Sequence, residues 1–131
     1  MLNIPIPPSA NGMWKKTRQK MYRSPKYQSW LDVAVPLIRL KYRGIESPIR
    51  IEVVITGGKG WRINRDLDNV FKPLIDGIRQ AEIVPDDTTD YVTSISGDYL
   101  PPAGKKSVAK CEINITSRKA TACISPATEK F

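Results

Sequence analysis

Between Ile49 and Ile78 the apolar residues change period, and that change limits the folds open to the chain. Ile49, Ile51, Val53 and Ile55 alternate with Arg50, Glu52 and Val54, the two-residue repeat of a strand with one buried face. Leu67, Phe71, Leu74, Ile75 and Ile78 then recur at helical spacing, which buries one stripe of a helix. Two more strands are expected, Tyr91 to Tyr99 and Val108 to Thr116, joined by LPPAGKKS as an exposed hairpin loop. A strand, a helix and further strands in this order call for a sheet with helices packed on it.

Upstream, LNIPI (residues 2–6) ends at Pro7 and Pro8 and reads as an edge strand, where proline is tolerated. Ser24 and Pro25 open a helix, and Tyr27, Trp30, Leu31, Ala34, Leu37, Ile38 and Tyr42 keep its spacing to Gly44. Pro36 inside this pattern predicts a kink or break near residue 35. The second helix is expected to start at or just after Asn69 as its cap, with an irregular first turn at Pro73 and a middle weakened by Gly77. The fold class is therefore α/β (α+β): a small single domain with a mixed β-sheet packed by two main helices, in the order β-α-β-α-β-β. With 131 residues the chain can bury a core without staples. The domain is assigned to residues 1–116 and a loosely ordered tail to residues 117–131.

Charge comes next, because the chain is basic and its acids are not scattered. Lysine and arginine number 21 against 13 acidic residues, a formal net charge of +8, which points to a polyanionic partner, nucleic acid first. No apolar run is long enough to span a bilayer and no signal peptide is visible, so a cytoplasmic protein without a membrane partner is expected. Two cysteines make no disulfide framework: Cys111 alternates with Ile113 and Ile115 as a buried strand thiol, and Cys123 falls on the tail. The absence of histidine removes the commonest general base and zinc ligand, leaving carboxylates, lysine or metal-bound water for any chemistry.

The acids gather in RDLDNVFKPLIDGIRQAEIVPDDTTD, Arg65 to Asp90, as two knots: Asp66 with Asp68, and Asp86 with Asp87. Extended backbone points Asp66 and Asp68 to the same side, where two close carboxylates repel unless a cation neutralises them. Asp87 lies nineteen residues beyond Asp68 and can return to it if the helix between runs back along the incoming chain. Three carboxylates around one or two Mg²⁺ ions suit phosphodiester hydrolysis, in which the metals activate water and stabilise the leaving oxygen. Lys72, one turn after Asp68, could face the scissile phosphate.

A purely structural reading competes with this one. Asp66 and Asp68 could cap a helix, Lys72 could pair with Asp68 or Asp76, and Asp86 with Asp87 could decorate a turn. Spacing alone does not choose between the two. A calcium loop fails, because its sixth and twelfth positions need glycine and glutamate where Phe71 and Gly77 stand.

Candidate DNA contacts are the basic residues of WKKTRQKMYRSPK, Lys15, Lys16, Arg18, Lys20 and Arg23, interleaved with Trp14 and Tyr22; cations neutralise phosphates and rings stack on exposed bases. Lys59, Arg62 and Arg65 of TGGKGWRINRD, with Asn69, complete the set. That glycine loop matches neither GxGxxG nor a P-loop.

RDLDN followed by Lys72 and Asp76, with VPDD about twenty residues on and PPSANGMW at the N-terminus, resembles the RusA family of Holliday junction resolvases. The resemblance implies a small homodimeric, Mg²⁺-dependent endonuclease, with Mn²⁺ able to substitute, that binds four-way DNA junctions and nicks two strands symmetrically. By position it implies Asp66, Asp68 and Asp87 as metal-binding catalytic aspartates and Lys72 as the essential lysine, with Asp86 as the neighbouring acid, a possible metal ligand or support. The chain departs from the family in carrying Trp14 where tyrosine is more usual, and in its longer tail. A two-fold protein would set one carboxylate site against each of two equivalent strands; the helix bearing Tyr27, Trp30 and Leu31 and the edge strands are the candidate dimer surfaces. The alternatives are a Mg²⁺ nuclease of broader taste, acting on flaps or single strands, and a basic nucleic-acid binding module with no chemistry.

Overall fold

The computed structural model describes residues 1–119. Strand β4 (Ile49–Thr56) is the centre of the molecule, with every second side chain from Ile49 to Ile55 fully buried. It is flanked on both sides, so the four-stranded sheet runs β1-β6-β4-β5, with β1 Leu2–Ile4, β5 Val92–Leu100 and β6 Lys110–Ser117. β5 pairs with β4 in parallel and β6 pairs with it antiparallel, which makes the sheet mixed as the residue pattern implies. β1 lies antiparallel on β6 as the other edge, with Ile4 opposite Cys111.

A parallel pair needs a crossover connection. Here helix α2 (Phe71–Gln80) supplies it between β4 and β5. β5 and β6 therefore do not form the expected hairpin: LPPAGKKS carries the chain across the end of β4 to its other side. The turn residues in that stretch mark a loop correctly, but loop chemistry does not reveal which strand each end pairs with.

Helix α1 (Pro25–Tyr42) starts as expected, with the Ser24 hydroxyl accepting from the Tyr27 backbone N–H and Pro25 in the first turn. Gly44 follows its end with φ of 88°, the left-handed position glycine fills cheaply. The helix runs unbroken through Pro36. An internal proline costs about 3 kcal/mol, whereas Tyr27, Trp30, Leu31, Ala34, Ile38 and Tyr42 are all buried, each contributing roughly 1.5–3 kcal/mol if large. Packing wins over the local defect. The same burial removes Tyr27, Trp30 and Leu31 as a dimer surface; Val33, Leu37 and Leu40 are the apolar side chains this helix leaves exposed.

α2 begins at Phe71 rather than at Asn69, behind a 3₁₀ turn over Leu67–Val70. The expected irregularity is thus real and lies one turn earlier than Pro73. Gly77 is required by packing: a Cβ there would sit 2.9 and 3.0 Å from the Trp30 ring carbons Cη2 and Cζ3, so the glycine lets the two helices close on each other. At Gly97 of β5 a Cβ would meet the Phe71 ring at 3.0 Å and Leu67 at 3.3 Å, which seats the start of α2 on the β5 side of the sheet.

The basic arm after Gly12 forms a small antiparallel ribbon, β2 (Trp14–Lys16) with β3 (Met21–Arg23), an addition to the expected order. Cys111 is buried, and burial pushes its thiol up to about 12. Cys123 and most of the expected tail lie outside the described residues, while β6 takes in Ser117. No helix among the described residues is long and apolar enough to cross a membrane.

Candidate active site and nucleic-acid interface

The 3₁₀ turn and the first turn of α2 carry Asp66, Asp68 and Lys72 to the surface, all exposed. Asp66 stands at the N-cap position of the turn, yet its carboxylate makes no capping hydrogen bond. The capping role that a structural reading gives these acids is therefore not filled. Lys72 meets neither Asp68 nor Asp76 but Asp87 of the returning loop, its Nζ lying 3.7 Å from Oδ2. The second acidic knot thus returns to the first turn of α2.

Asp86 and Asp87 are not equivalent. The Asp86 Oδ1 accepts from the Asp87 backbone N–H at 2.8 Å, so Asp86 shapes the turn while Asp87 faces Lys72. Among the described residues no three Asp, Glu, His or Cys side chains stand close enough to hold a metal ion ready-made. Asp66, Asp68 and Asp87 are each exposed carboxylates, the hard-oxygen ligand type that a hydrated Mg²⁺ accepts.

Asp76, on the same helix, behaves oppositely. It is buried, accepts a hydrogen bond from the Tyr27 hydroxyl, and pairs with Arg79 at 2.6 Å. Burial alone pushes its carboxyl up, but the hydrogen bonds from Tyr27 and Arg79 and the positive charges of Arg79 and Lys72 outweigh that, holding it below the ordinary carboxylate value. Burial and then the Asp76 hydrogen bond and charge push the Tyr27 phenol up. Tyr27 was not legible as its partner, because it lies 49 positions away and only the packing of α1 on α2 joins the two; Arg79 sits three residues on in the same helix, a pair that helical spacing offers.

The candidate DNA contacts fall into two groups. Lys15, Lys16, Arg18 and Lys20 are exposed on the ribbon and its turn, and Arg23 is half-buried, bonded to Gln28 at 3.1 Å. Trp14 and Tyr22 are 44% and 41% exposed, open enough for stacking. Lys59 and Arg62 are exposed on the glycine loop. Arg65 is half-buried and committed internally: its guanidinium donates to Asn69 Oδ1 at 2.6 Å and to the Pro7 carbonyl at 2.8 Å. It also lies 4.5 Å over the Trp61 ring. Arg65 and Asn69 therefore hold the N-terminal PPSANG turn against the acidic turn. An open cleft of about 480 Å³ lies between these segments and brings Lys26, Arg62 and Arg65 together over Trp30; Lys26 joins the basic surface through this convergence.

A small basic α+β domain with a lysine set among exposed carboxylates has the make-up of a nuclease. The comparison with known families gives the same class: a family model described as endodeoxyribonuclease RusA matches residues 5–116, and the protein is an endodeoxyribonuclease. The chain belongs to the RusA family. A relative from Enterobacteria phage HK97, named crossover junction endodeoxyribonuclease rusA, is 29% identical over 99 residues, covering 75% of this chain and 82% of the relative.

Proposed function

We propose that this endodeoxyribonuclease resolves four-way DNA junctions as a homodimer by Mg²⁺-dependent hydrolysis, each subunit nicking one of two equivalent strands. The observation that carries this reading is the Lys72–Asp87 ion pair, which ties the returning loop to the first turn of α2, directly after the 3₁₀ turn that Asp66 opens and Asp68 lies in. Asp66, Asp68 and Asp87 are the residues assigned to hold the cation, with Asp86 fixing the turn that presents Asp87. When bound there, Mg²⁺ lowers the pKa of a ligated water and offsets charge on the phosphate.

Lys72 holds Asp87 near the site in the free protein. On substrate binding it turns from Asp87 to a non-bridging phosphate oxygen, where its ammonium stabilises the charge that develops in the transition state. Exchange of this kind is cheap, because an exposed lysine–carboxylate pair contributes only about 0–1 kcal/mol. The ribbon and the glycine loop supply the sequence-independent grip on phosphates. The two-fold arrangement rests on the symmetry of the substrate.

Cleavage of a four-way junction, a flap and a linear duplex in Mg²⁺, compared in parallel, tests the substrate. Preference for the junction with paired nicks is expected; equal cutting of flaps assigns a broader nuclease. Asp68→Asn is expected to bind the junction and leave it uncut, and retained cleavage in that variant removes Asp68 from the metal set.

A further inference from the structure

At the far end of β4 and β5, Trp61 lies between Arg65 and Tyr99. Arg65 lies 4.5 Å over the Trp61 ring, and Trp61 lies 6.2 Å from the Tyr99 ring, centroid to centroid, at 36°. Arg65 is fixed from behind by Pro7 and Asn69. Tyr99 is fixed from below by Gly57, where a Cβ would fall 2.8 Å from the tyrosine Cζ. Only glycine leaves room for the ring to lie against that backbone. Tyr99 still exposes 46% of its surface, next to Leu100 at 50%.

A lysine-lined cleft opens on the other side of Pro102, which packs over Gly57 beside the tyrosine tip. Lys59, Lys105 and Lys106 line an open cleft with Gly58, Gly104 and Pro102, and the Pro102 Cδ lies 3.3 Å from the same Cβ position over Gly57. The Lys59 backbone is held by hydrogen bonds with Ser107 and Ala109 at 2.9 and 2.8 Å, so its side chain issues from a fixed base. Tyr99 is two residues beyond Gly97 and shares its sheet face, the face on which Leu67 of the 3₁₀ turn and Phe71 of α2 rest.

We propose that Tyr99, backed by Trp61 and Arg65 and near the cleft lined by Lys59, Lys105 and Lys106, is a stacking platform for an unpaired DNA base, gripping a single-stranded nucleotide beside the cutting site. An aromatic face held in place with cations within reach of the adjoining phosphates is how proteins hold single strands without reading sequence. A base inside a duplex is already stacked on its neighbours, so the ring discriminates for the unpaired nucleotides of a branch or flap. This rests on the reading that the chain acts on DNA, and adds which part of that DNA this face holds.

The test is fluorescence anisotropy of the full chain with three labelled probes: a 12-base oligothymidylate, an abasic strand of equal length, and a blunt duplex. The wild type is expected to bind oligothymidylate more tightly than the abasic strand. Tyr99→Ala and Tyr99→Leu should each weaken oligothymidylate binding by about 5- to 150-fold, the loss of roughly 1–3 kcal/mol per stacked base, and leave the other probes unchanged, while Tyr99→Phe keeps wild-type affinity. A double Lys105→Ala, Lys106→Ala variant should weaken both single strands alike and flatten their salt dependence. Equal wild-type affinity for the base-bearing and abasic strands overturns the platform, as does a Tyr99→Ala variant that loses all three probes equally. In those cases, a junction cut by wild type and spared by Asp68→Asn leaves the proposed nuclease standing; base-dependent binding without junction cleavage supports the platform and removes the proposed substrate.

Discussion

Helix α2 carries two aspartates, one turn before its start and one in its middle, that have opposite fates. Asp68 is exposed and free of ion pairs among the described residues, close to Lys72, whose partner Asp87 is also exposed. Asp76 is buried and clamped by Tyr27 and Arg79. An unpaired surface carboxylate can gain a cation at little cost, whereas a buried one must already be paired to exist as a charge. The outer acids are thus available for chemistry, and the inner one holds α2 to α1 so that the outer ones stay in place.

The sharpest division between the two regions comes from comparing activity with stability. Asp68→Asn should lower junction cleavage by on the order of 10³-fold, several kcal/mol of transition-state stabilisation, with an unchanged melting temperature. Asp76→Ala should do the reverse in kind, lowering unfolding free energy by about 1–3 kcal/mol in urea titration because the buried Tyr27 hydroxyl loses its partner. An Asp76→Ala protein as stable as wild type would erase the distinction.

Tyr27→Phe tests one arm of the clamp. It removes a hydrogen bond to a charged group and should cost about 1.5–3 kcal/mol. Gly77→Ala tests the seam that the clamp closes: the added methyl meets the Trp30 ring, and about 1–2 kcal/mol of overpacking should show in the same titration. Lys72→Ala should change stability by no more than about 1 kcal/mol, although its cleavage rate should fall further than its junction affinity.

Acid separates the regions as well. The folded-state carboxyl of Asp76 lies below its unfolded value, so the unfolded chain binds the proton first as pH falls. Its stabilisation is present above the ordinary carboxylate pKa and is lost as pH drops through the depressed folded value. The urea midpoint of wild type should fall more steeply below about pH 4 than that of Asp76→Asn, and parallel curves would assign the acid sensitivity elsewhere.

Local pattern made much of this legible. The alternation from Ile49 to Ile55, the Ser24-Pro25 helix start, the Gly44 stop and the buried Cys111 all stand where their neighbours in sequence require them. The acidic knots and Lys72 could be singled out because they are short motifs of charge. The failures share a cause. Pro36 signals a break that six buried side chains override, and LPPAGKKS has the chemistry of a hairpin loop although its strands lie on either side of β4. Among the residues read as DNA contacts, Arg65 and Asn69 also bond each other.

The sequence by itself determined the elements, the concentration of acids in a basic chain and the absence of histidine, because periodicity and composition are properties of neighbours. Tertiary structure decided which strand pairs with which, that Lys72 meets Asp87, that Asp76 meets Tyr27, and that Trp61 meets Tyr99. Each of these contacts joins residues from separate elements or loops. Their proximity follows from burying one face of the sheet under two helices, a constraint that acts on the whole chain at once.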